Sequence, residues 1–195
     1  MTKPMKLAAA IMTAVFFAVS PAAIFADETK SYEQLSPNGK YLFVMLAKGT
    51  DTTKVDTLKK KYSHSGLYKA NNTGKPLWRI NWYASTVHIS SDGMHLVRIG
   101  RPIVEAMNGK PDMEQLAVAF YKNGSQTRKY LIRDLIPAPS KLVKSGKGFK
   151  WQDRIAFDDD SGKLEITLVT GQVKVFSVKS GKIITGKSDN KKRRQ

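Results

Sequence analysis

The sequence predicts an all-β domain: antiparallel sheets of about ten strands, with short helices confined to loops. Turn signals recur at short intervals, as in Ser36-Pro37-Asn38-Gly39, Asn71-Asn72-Thr73-Gly74, Ser91-Asp92-Gly93 and Asn123-Gly124. The runs between them are short and rich in apolar and aromatic residues. From Lys163 onward, Leu164, Ile166 and Leu168 alternate with Lys163, Glu165 and Thr167, the period of a half-buried strand.

Residues 1–26 form a separate object. Lys3 and Lys6 precede the uncharged run Leu7–Val19, Ser20-Pro21 breaks it, and Ala22–Ala26 ends on a small residue before Asp27-Glu28. That order is the signature of a secretory signal peptide. As a helix the apolar run covers only about 20 Å, short of the roughly 30 Å hydrocarbon core. No later stretch is apolar enough to span a bilayer, so no transmembrane segment is expected after signal removal. The expected location is therefore outside the cytoplasm, in the periplasm or the medium.

Residues 27–186 read as one β-rich domain, large enough to bury roughly two-thirds of its unfolded surface. Tyr41–Leu46 is apolar on both faces and reads as a central strand. Gly66–Ala70 and Leu77–Trp82 flank the Asn71–Gly74 loop as a hairpin, and Thr86–Ser90 and His95–Ile99 flank Ser91-Asp92-Gly93 in the same way. Leu116–Lys122 and Ser125–Ile132 meet at Asn123-Gly124, which suits a type I′ turn because that turn needs positive φ twice. Lys163–Thr170 and Gln172–Val178 complete the pattern. The remaining segments, 49–65, 102–115 and 135–149, read as loops. The first carries a helical turn, since Val55, Leu58 and Tyr62 share one face. The tail 187–195 has no apolar residue and reads as disordered.

A weak internal repeat underlies the turns. Ser-Pro-Asn-Gly-Lys (36–40), Ser-Ser-Asp-Gly-Met (90–94) and Asp-Asp-Ser-Gly-Lys (159–163) each precede a strand, and each unit later reaches Asn-Thr-Gly-Lys (72–75), Lys-Asn-Gly-Ser (122–125) or Lys-Ser-Gly-Lys (179–182). Through these turns the chain resembles the blade pattern of exported bacterial β-propellers. The resemblance implies three blade-like units, near 35–83, 86–136 and 150–184. Three are fewer than a closed propeller requires, so the expectation is a propeller-like, open sheet stack.

Charge and cysteine content bound the function. The chain carries 33 Lys and Arg against 16 Asp and Glu, a net charge of +17, and signal removal takes away only Lys3 and Lys6. Such a surface attracts polyanions. There is no Cys, which excludes disulfides, thiolate metal sites and thiol nucleophiles, as well as a lipid-modified Cys at the cleavage site.

Candidate residues for chemistry are few. Ser90 or Ser91 with His88 and Asp92 has the composition of a nucleophile–base–orienter group, but only proximity supports it, with no G-x-S-x-G or H-E-x-x-H motif. Asp158, Asp160 and Glu165 are oxygen donors on a glycine-containing turn, a partial calcium-loop pattern with Glu165 too close for an EF-hand. Trp78 and Trp82, interleaved with Lys75 and Arg79, suit stacking on bases or sugars, although Ile80 on the same strand face makes both tryptophans candidates for core. Lys191, Lys192, Arg193 and Arg194 can reach an anionic membrane or wall polymer. No cofactor and no catalytic residue is expected.

The leading expectation is an exported, non-catalytic binding or scaffolding module for a protein or glycan of the cell envelope. The alternative is an electrostatic binder of an anionic polymer or membrane surface. A hydrolase forms a third class. Open sheet edges make a homodimer an expected assembly. Mass spectrometry of the exported protein should find the mature N-terminus at or near Asp27; intact Met1 in that sample would refute cleavage.

Overall fold

The computed structural model describes residues 30–47, 56–72, 74–105, 109–146 and 148–184. Residues 1–26, read above as a signal peptide, and the basic tail 187–195 lie outside the described residues, as does Val55. The strands are β1 (Tyr32–Leu35), β2 (Tyr41–Met45), β3 (Gly66–Lys69), β4 (Trp78–Arg79), β5 (Val87–Ile89), β6 (His95–Ile99), β7 (Ile103–Val104), β8 (Leu116–Lys122), β9 (Ser125–Leu131), β10 (Val143–Ser145), β11 (Gly148–Lys150), β12 (Gln152–Asp158), β13 (Lys163–Leu168) and β14 (Val173–Ser177). Two short helices, α1 (Thr57–Lys61) and α2 (Ile132–Leu135), sit in loops.

All strand pairs are antiparallel, in four sheets: β1-β2-β3-β4, β5-β6-β8-β9, β12-β13-β14 and a small β10-β11-β7 sheet. They close into neither a barrel nor a propeller ring among the described residues. The three larger sheets are hereafter the first, middle and third.

The fourteen strands exceed the ten or so expected from the sequence. The additional ones lack a clean apolar period. β1 carries Glu33 and Gln34, β7 is two residues long, β10 is exposed throughout, and β11 opens on Gly148. In β12 a register shift between Gln152 and Arg154 breaks the alternation that Ile155 and Phe157 would otherwise continue. Two segments read as loops thus contribute strands to the small sheet, while α1 supplies the helical turn expected in the first loop.

The middle sheet is buried on both faces over β6 and β8, while its edge strand β9 is exposed from Ser125 to Lys129. On one face Val87, Ile89, Leu96, Ala119 and Tyr121 meet Phe43, Met45, Leu67 and Trp78 of the first sheet. On the other, Val97, Ile99, Val118 and Phe120 meet Leu164, Ile166, Leu168 and Phe176 of the third. Ile103 and Trp151 extend this second core beside the small sheet. Adjacent residues of a strand point to opposite faces, so a strand serving two cores must be apolar at every position. β8 meets that demand from Leu116 to Tyr121, and β6 meets it at Leu96, Val97 and Ile99, with His95 and Arg98 as its exceptions.

β2 is similarly two-faced, as expected, with Phe43, Val44 and Met45 all fully buried. Its second face lies under α1, where Leu42, Val44 and Leu46 pack with Leu58, Tyr62 and Tyr68. Asp56 caps α1 by accepting from the N–H groups of Leu58 and Lys59 at 3.1 and 3.3 Å.

The repeated turns are equivalent in geometry. The N–H groups of Gly39, Gly93 and Gly162 donate to the carbonyls of Ser36, Ser90 and Asp159 at 2.9, 3.1 and 3.2 Å, and the glycines have φ of 68°, 68° and 62°. The three turns are also linked. Asn38 Nδ2 donates to the Ser91 carbonyl at 2.8 Å, and the Ser91 N–H donates to both Asp159 carboxylate oxygens at 3.0 and 3.1 Å. At the Asn123-Gly124 hairpin both residues have positive φ, 49° and 79°, as a type I′ turn requires.

Gly93 lies beneath the Tyr41 ring, where an added Cβ would come within 2.5 Å of ring carbon, whereas Gly162 has nothing within 4 Å. Both substitutions to Ala carry the left-handed penalty of roughly 1–2 kcal/mol. Gly162→Ala should lose only that amount in denaturant unfolding, and Gly93→Ala should lose distinctly more. Equal losses would mean that the turn is not clamped by the first sheet.

Candidate functional site

Each of the three histidines is held in a different way. His95 is buried, and its Nδ1–H donates to Asp92 Oδ2 at 2.6 Å. Burial alone would raise the Asp92 carboxyl, but the N–H groups of Met94 and His95 and the His95 ring hold it below its usual value. Asp92 is thus the partner of His95. His88, the base of the triad reading, sits on the opposite side of the hairpin in β5, stacked on Phe157 of β12 with ring centroids 5.2 Å apart and planes 12° from parallel. Its Nε2 is sealed from solvent and has no hydrogen-bond partner. Burial lowers the His88 pKa to about 4, since charging the ring would place an uncompensated cation between two sheets.

His64 lies beyond the first sheet's edge. Arg79 Nη1 is 3.2 Å from His64 Nε2, and Ser63 Oγ is 2.7 Å from Nδ1. Guanidinium can only donate, so Nε2 accepts and Nδ1 carries the proton toward Ser63. A serine is activated by a ring nitrogen that accepts its proton, which is the reverse of this arrangement. Ser63 and His64 therefore do not form a nucleophile–base pair.

The two tryptophans lie in the first core. Trp78 Nε1 donates to the Gly93 carbonyl at 2.9 Å, and its ring is 6.1 Å from Phe43. Trp82 is half-buried, 4.9 Å from the Tyr121 ring, with the Arg98 guanidinium 4.7 Å from its centroid. Arg98 mirrors His88: a polar residue of the middle sheet with one buried, unpartnered nitrogen and an aromatic ring stacked on it.

The acidic turn is engaged internally. Asp158 accepts from the Ser161 hydroxyl at 2.6 Å and the Ser161 N–H at 3.2 Å, and these bonds lower its pKa. Asp159 binds Ser91, and Glu165 sits within β13 opposite Ala156 and Val175. No group of three or more His, Asp or Glu side chains arranged to hold a metal occurs among the described residues. Lys191, Lys192, Arg193 and Arg194 lie outside the described residues.

Comparison with protein-family models, curated proteins and solved structures finds no match. No helix among the described residues is long and apolar enough to cross a membrane.

Two open depressions lie among the described residues. One, of about 550 Å³, is lined by Gly39, Lys40, Tyr41 and the Lys69–Asn72 segment at the end of the first sheet. The other, of about 410 Å³, is lined by His64, Arg79, Ile80, Asn81 and Gly124. The sequence does not advertise the His64–Arg79 pair, because the two residues are far apart in the chain. Its only trace is the β3–β4 hairpin, whose register sets Arg79 opposite Gly66, two residues after His64.

His88 makes acid stability testable. Above pH 6.5 the ring is neutral in folded and unfolded chains alike. Between 6.5 and about 4 the unfolded chain binds a proton that the folded one refuses, so stability falls as pH drops. The loss is at most about 3 kcal/mol for this group. His88→Phe keeps the ring stack and removes the titration, so chemical denaturation should show the stability of the wild type relative to the variant falling steadily as pH drops through that window. A pH-independent difference would contradict the sealed environment.

Proposed function

We propose that this protein is an exported, non-catalytic binding or scaffolding module of the cell envelope, taking a protein or glycan partner. The observation that carries the reading is the engagement of all three histidines. One is stacked between sheets, one is held by Asp92, and one accepts from Arg79, so none turns a free lone pair toward a hydroxyl. What remains is a stack of sheets with turns aligned along one rim and open depressions beside them. We also propose that the three larger sheets are consecutive blades of an open, propeller-derived stack. The up-and-down strand order within each sheet, the face-to-face cores and the equivalent linked turns support it.

The net charge of +17 favours a second reading, electrostatic association with an anionic polymer or membrane surface, to which the tail 187–195 contributes. Salt separates the two. Association through counterion release weakens steeply as salt rises, and docking of apolar and hydrogen-bonded loops does not. Cosedimentation with isolated cell-wall material should persist from low to high salt and survive deletion of residues 187–195. Binding that disappears at high salt, or with the tail, would replace the first reading by the second. Turnover in broad hydrolase assays, lost in His88→Ala, would overturn both.

A further inference from the structure

The depression between the first sheet and the β8–β9 hairpin tip has the chemistry of an anion subsite. Arg79 projects from β4, and its hydrogen-bond acceptor is the His64 imidazole, a neutral group. Four other cations are paired with carboxylates, Lys61 with Glu33, Lys144 with Glu105, Lys150 with Asp153 and Arg133 with Glu114. No carboxylate lines the depression among the described residues. The Arg79 charge is thus uncompensated at a concave surface, in a chain whose net charge already draws anions.

The backbone shapes the remainder of the site. An added Cβ on Gly124 would meet the Arg79 carbonyl at 2.5 Å and the Trp78 ring at 3.3 Å, so the hairpin tip presses directly on β4. That contact fixes where the arginine leaves the strand, and the bond to His64 sets where its guanidinium points. A planar fork of donors held this way matches a tetrahedral or planar oxyanion better than a freely rotating surface lysine does.

We infer that the His64–Arg79 depression binds the phosphate-type oxyanion of an anionic envelope polymer. On binding, Arg79 exchanges its bond to the imidazole for bonds to the anion, and the hairpin tip forms the opposite wall. The inference rests on the second reading, association with an anionic polymer, and supplies a specific contact for it.

The test is an NMR titration of the full mature chain with inorganic phosphate, replacing chloride at constant ionic strength. Saturable shifts should appear in the His64 ring, the Arg79 Nε–H and the Gly124 amide, while the rings of His88 and His95 stay unmoved. Losing a charge-assisted bond should weaken phosphate binding about tenfold or more in Arg79→Ala, with Arg79→Lys intermediate. Shifts that never saturate, that spread equally to His88 and His95, or that survive Arg79→Ala would overturn the subsite. If Arg79→Ala fails to fold, wild-type saturation and the Arg79→Lys weakening decide the question. Saturable phosphate binding without any retention on wall material would leave the subsite standing and retire the functional reading.

Discussion

Leu96 and Val97 are neighbours in β6 yet feed different cores, and the stack depends on that division. A sheet with one wet face tolerates polar residues at every second position. The middle sheet has no such face over β6 and the inner part of β8, so its polar residues are exceptional. His88 and Arg98 lie on opposite faces, each with a sealed nitrogen lacking a partner. A buried polar atom without a partner costs free energy comparable to a lost hydrogen bond. Each is partly offset by a ring from the neighbouring layer: Phe157 from the third sheet, and Trp82 from the connection that leaves the first.

The linked turns solve a second problem, the alignment of layers that apolar packing alone would let slide. Hydrophobic contact is non-directional, whereas the Ser91 backbone offers one donor and one acceptor at fixed angles. Asn38 takes the acceptor and Asp159 the donor, so the backbone of one residue links the turns of three sheets. Close approach at Gly93, Gly124 and Gly181 does the same sterically. Each glycine lies where a Cβ would strike the preceding unit: Tyr41, the Arg79 carbonyl, and Phe120 with Arg128, respectively.

Much of this organisation was legible in the sequence, because turns and two-faced strands leave local marks. Asn123-Gly124, the Tyr41–Met45 strand and the Leu164–Leu168 alternation each encode their structure within a few residues. The three turn motifs marked the three sheets for the same reason. What the sequence concealed was non-local. β7 and β11 form a ladder only because chain segments far apart meet, and neither has enough apolar character to announce itself. The spacing of His88 and Asp92 suggested a pair, yet Asp92 accepts from both the backbone N–H and the ring of His95, while His88 packs on Phe157. His64 and Arg79 carried no mark beyond hairpin register.

The meander order has a kinetic consequence. Within the first, middle and third sheets, most pairings join strands adjacent in the chain, and the main exception, β6 with β8, spans only the excursion through β7. Loop closure within each unit is therefore short, and each sheet can assemble from local contacts. Among these three sheets the distant contacts are those between layers, such as Asn38 to Ser91 and Ser91 to Asp159, which join turns already closed within each sheet. The topology therefore favours local hairpins over long-range closure within each layer, and the Ser91 backbone belongs to the contacts between layers.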